Sequence, residues 1–143
     1  MKKRYTLVLF ACLLFSGCAS HSTNEGIDEA QTEAVLDHHW QTFIANDLEG
    51  VMEDYTEESI LITPNGTYSG LEEIRGNFIN AFKAFPAGQA TLTLKESLAV
   101  KDIGYILWEA DTPEFNLSYA TDTFIIRNGK IIRQTYAGVR VGK

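Results

Sequence analysis

The hydrophobic period of the chain changes at Pro86, and this change most limits the folds open to it. Before Pro86, apolar residues recur mainly at spacings of three and four, which predicts amphipathic helices. After Pro86, apolar and polar residues mainly alternate, which predicts strands. Helices followed by a run of strands indicate an α+β domain, in which a curved antiparallel sheet wraps around three N-terminal helices to form a cone.

Two helices are expected at the start of the domain. The first covers 27–45, where Leu36, Trp40 and Phe43 share one side. Asp47 has the residue type and position of an N-cap for the second helix, 48–55.

A hairpin and a third helix follow. The segment 59–62 is typical of a strand, and Asn65-Gly66 is typical of a tight turn. Ser69 and Glu72 have the spacing of a capping box, which predicts the start of a helix that Pro86 ends.

The segments after Pro86 read as strands joined by short turns. In the segment 90–100, strict alternation would place the apolar residues on one face of the sheet: Leu92, Leu94, Leu98 and Val100. Asn128-Gly129 predicts a two-residue turn into the last strand.

The first residues have the pattern of a secretory signal with a cysteine at its end. Three basic residues precede an apolar run, 7–15, and Ser16-Gly17-Cys18 follows. This run is shorter than the roughly 20 residues of a membrane-spanning helix. The pattern resembles the lipobox of bacterial lipoproteins, in which the cysteine is acylated and becomes the mature N-terminus.

The lipobox resemblance implies three parts: a removed signal peptide, 1–17; the lipidated Cys18 with a flexible tether, 18–26; and a folded domain, 27–143. Several acyl chains on Cys18 would attach the protein to a membrane. We expect a bacterial cell-envelope protein, and in a Gram-negative cell one on the outer membrane that faces the periplasm.

Charge and cysteine content exclude several classes of function. The formal net charge of −7 disfavours nucleic acid as a partner. Cys12 lies in the expected signal and Cys18 would carry lipid, so the domain has no cysteine for a disulfide, a thiol nucleophile or a metal site. No phosphate-binding glycine loop or zinc motif occurs, and we expect neither a cofactor nor a metal.

Two adjacent histidines lie in the first predicted helix. Successive helical residues are rotated by about 100°, so His38 and His39 cannot both ligate one metal ion from one face. We expect His38 at the surface without a role. His39 falls beside the buried side, either as a core-edge residue or as a pocket residue whose imidazole titrates near neutral pH.

The stretch "FIANDLEGVMEDYTEESILITPNGTYSGLEEIRGNF", 43–78, resembles the nuclear-transport-factor-2-like superfamily, which includes SnoaL-type polyketide cyclases and ketosteroid isomerases. The order of predicted elements agrees over 27–141. Because these members include enzymes, ligand binders and protein-binding modules, the resemblance implies a fold and not one function.

The ketosteroid isomerase pattern can be aligned on this chain through Asp47 and Pro64. Its oxyanion tyrosine then falls on His39 and its base aspartate on Thr63. On the strand before the last turn, the family's second oxyanion residue, an aspartate followed by Phe-x-Phe, falls on Asp122. A threonine cannot remove a carbon acid's proton at neutral pH, so we do not expect steroid isomerisation by that mechanism. In an enzyme, His39 would replace the missing carboxylate.

Asp122 is expected on an apolar face of its strand, where burial would raise its pKa, unless a bulge turns the side chain to solvent. Further residues are expected to form the walls of a pocket between helices and sheet: Trp40, Phe43, Tyr55, Thr63, Tyr68, Trp108 and Phe124.

Three functions remain open from the sequence. The leading interpretation is a lipid-anchored protein that binds a small, largely apolar molecule, with His39 and Asp122 as polar anchors. The enzyme alternative is an isomerase, cyclase or hydrolase-like activity with His39 as acid–base and Asp122 as oxyanion donor. The third is an interaction module that forms a homodimer through its sheet.

Overall fold

The computed structural model describes residues 26–143, in which helices pack on the concave face of one curved sheet. The α+β prediction is confirmed. The predicted signal peptide and Cys18 lie outside these residues. Within 26–143, no helix combines the length and apolar character needed to cross a membrane. The elements in chain order are α1 (Glu29–Ile44), α2 (Leu48–Glu53), β1 (Ile60–Thr63), β2 (Gly66–Ser69), α3 (Gly70–Ala84), β3 (Thr91–Val100), β4 (Ile103–Asp111), β5 (Phe115–Arg127) and β6 (Lys130–Gly142).

The sheet has six strands in the order β2-β1-β6-β5-β4-β3. Neighbouring strands are antiparallel except for β1 and β6, which pair in parallel. Asn128 and Gly129 join β5 to β6 with φ angles of 52° and 69°. Left-handed angles at both positions suit a two-residue hairpin loop, as the sequence predicts.

The helix starts agree with the sequence in one case and differ in another. The Asp47 side chain accepts a hydrogen bond from the Gly50 N–H at 2.9 Å and caps α2 as predicted. The predicted capping box at Ser69 is wrong, because the Ser69 side chain makes no capping bond. Gly70 begins α3 with a left-handed φ of 76°, and Glu73, rather than Glu72, accepts from the Ser69 N–H at 2.7 Å.

The prediction that the apolar residues of β3 share one face is also wrong. The pairing with β4 shifts between Leu94 and Glu96, so a β-bulge reverses the faces of the strand. Leu92 and Leu94 pack against the core, whereas Leu98 lies exposed beyond the bulge. Val100 is exposed on the same convex face as Leu98.

The core lies between the helices and the concave face. Leu36 of α1 packs directly over Gly104 of β4, where an added Cβ atom would lie only 2.7 Å from a Leu36 methyl carbon. This close approach brings α1 onto the sheet and determines how far its side chains reach toward β5. Several side chains fill the centre with almost no exposure: Leu61, Ile74, Phe124, Ile126 and Ile131.

Candidate functional site

A cavity of about 480 Å³ opens between α1, α3 and the concave face of the sheet. Its walls are mainly aromatic and aliphatic, and they include five of the residues that the sequence places in a pocket: Trp40, Phe43, Thr63, Tyr68 and Trp108. The cavity therefore combines an apolar interior with a few polar groups, which is usual for small-molecule sites.

Two predicted wall residues do not line the cavity. Phe124 is fully buried and packs behind His39, with 5.3 Å between the ring centroids. Tyr55 is also buried against His39, and its hydroxyl donates to the Gln134 side chain instead of facing the cavity. Phe124 of β5 and Tyr55, which follows α2, both point into the core and pack against residues of the cavity wall instead of lining it.

Asp122 projects from β5 to the cavity wall and is only 5% exposed. It shares the buried face with Ala120 and Phe124, since the burial of β5 alternates regularly from Ala120 onward. Trp108 Nε1–H donates to one carboxyl oxygen at 2.9 Å, and Gln134 Nε2–H donates to the other at 2.8 Å.

Burial raises the pKa of Asp122 above its ordinary value, while the hydrogen bonds from Trp108 and Gln134 and the nearby His39 act in the opposite direction. Burial likewise raises the pKa of Tyr55, with added repulsion from Asp122 and Asp54. Tyr55, Gln134, Asp122 and Trp108 thus form one buried hydrogen-bonded chain.

His39 lies at the cavity wall and is 4% exposed. Its ring is held edge-on by three aromatic side chains, and its Nδ1 is 3.1 Å from Asp54 Oδ2. Asp54 follows α2, and its carbonyl accepts from the Ile131 N–H at 2.8 Å, which attaches the end of α2 to β6.

His38 lies at the surface as predicted, but its ring also contacts a buried carboxyl group. His38 Nδ1 lies 2.7 Å from Asp54 Oδ1, so the two histidines bind the two oxygens of one carboxylate. Their rings leave α1 in different directions, as the helix geometry requires, but Asp54 lies between them. His38 remains 43% exposed at its side chain, whereas Asp54 is buried.

This arrangement selects one tautomer of His39. A carboxylate only accepts, so Nδ1–H of each ring donates to Asp54, and in the neutral form of His39 the other nitrogen, Nε2, is a hydrogen-bond acceptor. An acceptor nitrogen of this kind can receive a ligand hydroxyl or take a proton.

Several polar cavity residues are not identified by the sequence analysis: Asn65, Asn77, Asn80, Gln134, Tyr136 and Arg140. Gln134, Tyr136 and Arg140 all lie on one face of β6, because the positions in a strand that differ by an even number share a face. The sequence could therefore have identified Tyr136 and Arg140 once Gln134 was known to face the cavity. Asp54 has no such signal, because its histidine partners are 15 and 16 residues away. Among residues 26–143, no group of three or more histidine, cysteine or carboxylate side chains could hold a metal ion.

Solved structures with the same fold come from several bacteria. A Kribbella flavida protein provisionally described as a ketosteroid isomerase aligns with a TM-score of 0.67 and 16% identity, over 82% of this chain and 84% of its own. A Sinorhizobium meliloti protein provisionally described as a polyketide cyclase aligns with a TM-score of 0.64 and 16% identity, over 77% and 99%.

A SnoaL-like protein of unknown function from Burkholderia thailandensis aligns with a TM-score of 0.64 and 15% identity, over 80% of this chain and 99% of its own. Identities this low establish the fold alone. Among curated proteins, none matches the sequence. The SnoaL-like domain family matches residues 36–134, a span that begins within α1, ends within β6 and includes most of the residues that line the cavity. The chain therefore belongs to the SnoaL-like domain family, and its fold is that of nuclear-transport-factor-2-like proteins.

Proposed function

We propose that the domain binds a small, largely apolar molecule in its cavity, with His39 and Asp122 as polar anchors. The observation that carries the proposal is an open volume of about 480 Å³ with both residues on its wall. Volumes of this order accommodate ordinary small ligands. Trp40 and Trp108 pack edge-on at 5.9 Å between centroids and leave this space open.

The cavity wall offers an apolar surface for the body of a ligand and a few polar groups for hydrogen bonds. Phe43, Phe85 and Trp108 offer aromatic surface to the body of a ligand. His39 Nε2 can accept a hydrogen bond, and Asp122 can accept one or, when protonated, donate one. A ligand with a hydroxyl or carbonyl group on an apolar skeleton fits this pattern.

Mass spectrometry of the small molecules that copurify with the protein tests the proposal. Ala81 lines the cavity, so Ala81→Trp should fill it, whereas Lys83→Trp changes an exposed residue of the same helix. We expect an apolar compound with the wild type and Lys83→Trp but not with Ala81→Trp. Recovery of the same compounds from Ala81→Trp would contradict binding in this cavity.

A second candidate function is acid–base catalysis, and the Asp54–His39 contact favours it. A histidine whose tautomer is set by a buried carboxylate is oriented for proton transfer through Nε2. In its protonated form, which burial favours, Asp122 would donate a hydrogen bond to a developing oxyanion.

Turnover of candidate substrates by His39→Ala decides between the binder and the enzyme. General acid–base catalysis contributes about 10²–10⁴-fold, so the variant should lose at least about a hundredfold in kcat/KM. The pH–rate profile should also lose one ionisation. Equal turnover by wild type and variant would reject His39 as the acid–base group.

The lipid anchor is a separate part of the proposed function. The cysteine pattern at Ser16-Gly17-Cys18 supports acylation of Cys18 and attachment to the bacterial cell envelope. We expect the wild type to enter the detergent phase of a two-phase extraction and Cys18→Ser to lose that behaviour. An intact mass of the wild type without added acyl chains would reject the anchor.

A further inference from the structure

We propose that Arg140 and Tyr136 form an anion-binding pair on the cavity wall, and that the ligand carries a carboxylate on its apolar body. The inference rests on the proposed ligand binding and names the chemical class of the ligand.

Arg140 projects from β6 to the cavity and stacks on a wall residue. Its guanidinium carbon lies 3.4 Å from the ring centroid of Phe115, which is itself buried. Stacking orients the planar group and leaves its N–H donors free around the edge. In residues 26–143, the ion pairs that involve an arginine use Arg75 and Arg127, so Arg140 has no carboxylate partner there.

Tyr136 places a second donor on the same cavity wall as Arg140. It faces the same side of β6, and its hydroxyl leans over Gly138, where an added Cβ would lie 2.8 Å from that oxygen. Burial, with repulsion from Asp122, raises the pKa of Tyr136 to about 12, so the hydroxyl keeps its proton. The positive charge of Arg140 acts on this pKa in the opposite direction.

The remaining charges of the wall do not neutralise Arg140. Among residues 26–143, Asp122 is the one carboxylate on the cavity wall, and both of its oxygens already accept hydrogen bonds, from Trp108 and Gln134. A guanidinium and a hydroxyl that both donate are complementary to a group that only accepts. A ligand carboxylate meets that requirement, and the alcohol of the same skeleton does not.

Calorimetric titration with two matched probes tests the pair. At neutral pH, 2-naphthoate carries a carboxylate, whereas 2-naphthalenemethanol has the same ring system without charge. We expect the wild type to bind the carboxylate at least about tenfold more tightly, as a charge-assisted hydrogen bond implies. Added salt should weaken binding of the carboxylate and leave binding of the alcohol unchanged.

Variants of Arg140 and Tyr136 test whether these two side chains cause the preference for the carboxylate probe. Arg140→Met keeps length and apolar packing on Phe115 but removes the charge, so it should lower affinity for the carboxylate by about tenfold and spare the alcohol. Arg140→Lys should restore part of the preference, and Tyr136→Phe should lower it about threefold to tenfold. Arg127→Met removes the same charge outside the cavity and should behave as the wild type.

The outcomes separate this inference from the proposed function. Equal affinity of the wild type for both probes, with no effect of salt, would overturn the anion-binding pair and leave the apolar cavity intact. A carboxylate preference that persists in Arg140→Met would also overturn it. Failure of the wild type to bind either probe would count against the proposed function and, with it, against this inference.

Discussion

Asp54 shows how one buried side chain can determine the chemistry of a neighbour across the chain. Its two oxygens accept from His38 and His39, and neither contact is predictable from helix geometry alone. The resemblance could identify His39 through the alignment on Asp47 and Pro64, and Asp122 through the pattern of its own strand, because both positions belong to local sequence patterns. Asp54 and Gln134 act through contacts between distant segments, and single-sequence patterns do not report such contacts.

Asp54→Asn should disturb the histidine pair. The amide keeps one acceptor oxygen but presents a donor to the second ring, so one histidine must change its tautomer. We expect the imidazole nitrogen NMR signals to report a new tautomer population and the free energy of unfolding to fall by about 1–3 kcal/mol.

Asp37→Asn is the matched control for Asp54→Asn, because Asp37 is exposed on the same helix as the histidines. It should leave both the tautomers and the stability of the protein unchanged. Identical NMR spectra for wild type and Asp54→Asn would contradict the tautomer assignment.

Asp122 should make stability depend on pH. Its pKa is raised in the folded protein, so the folded state holds this proton more tightly than the unfolded chain. The resulting stabilisation is complete below the ordinary pKa of 3.8 and is lost as pH rises through the raised value. Asp122→Asn has no such titration.

Urea unfolding over a range of pH measures this difference. The free energy of unfolding of the wild type, minus that of Asp122→Asn, should fall as pH rises above 3.8. Each unit by which the pKa is raised should change this difference in unfolding free energy by more than about 1 kcal/mol over the titration. Glu109→Gln, at an exposed carboxylate of β4, should not change the slope. A difference that rises with pH would contradict the direction of the shift.

At the scale of elements, the predictable features are those with a local cause. The N-cap at Asp47 and the turn at Asn128-Gly129 follow from the chemistry of single residues, and both appear where the sequence places them. The bulge in β3 and the parallel pairing of β1 with β6 depend on neighbouring strands. Strict alternation in β3 therefore predicts one apolar face where the structure has two.

The contact between α1 and β4 should be sensitive to one methyl group. Gly104→Ala places a Cβ within 2.7–3.1 Å of the Leu36 side chain, which is buried and cannot move freely. Overpacking of this kind costs about 1–3 kcal/mol. We expect a corresponding fall in the urea midpoint.

Gly76→Ala is the matched control for Gly104→Ala. An added Cβ at Gly76 meets nothing within 4 Å, and the residue lies inside α3. The higher helix propensity of alanine should raise stability by up to about 1 kcal/mol. Equal effects of the two substitutions would contradict the close packing of α1 on the sheet.

At the scale of the whole molecule, the convex face of the sheet carries several exposed apolar side chains. Exposed side chains on this face include Leu98, Val100, Ile103, Tyr119, Val139 and Val141. Apolar surface of this extent is often covered by a partner, which keeps the homodimer of the sequence analysis as a prediction.

Sedimentation velocity tests the homodimer. The wild type should sediment with the mass of two chains, and Val139→Glu should shift the population to one chain, because a charge would be buried in the interface. Ile79→Glu introduces the same charge on α3, away from the convex face, and should not change the mass. A wild type that sediments as a single chain would reject the dimer.

The hydrogen bond from Trp108 to Asp122 gives the protein an internal optical reporter. The chain has two tryptophans, and the indole N–H of Trp108 donates directly to the carboxyl group at the cavity wall. Indole emission responds to the charge of the group that its N–H contacts. The colour of the light that Trp108 emits should therefore change when Asp122 gains a proton or when a guest molecule reaches it, without any attached dye.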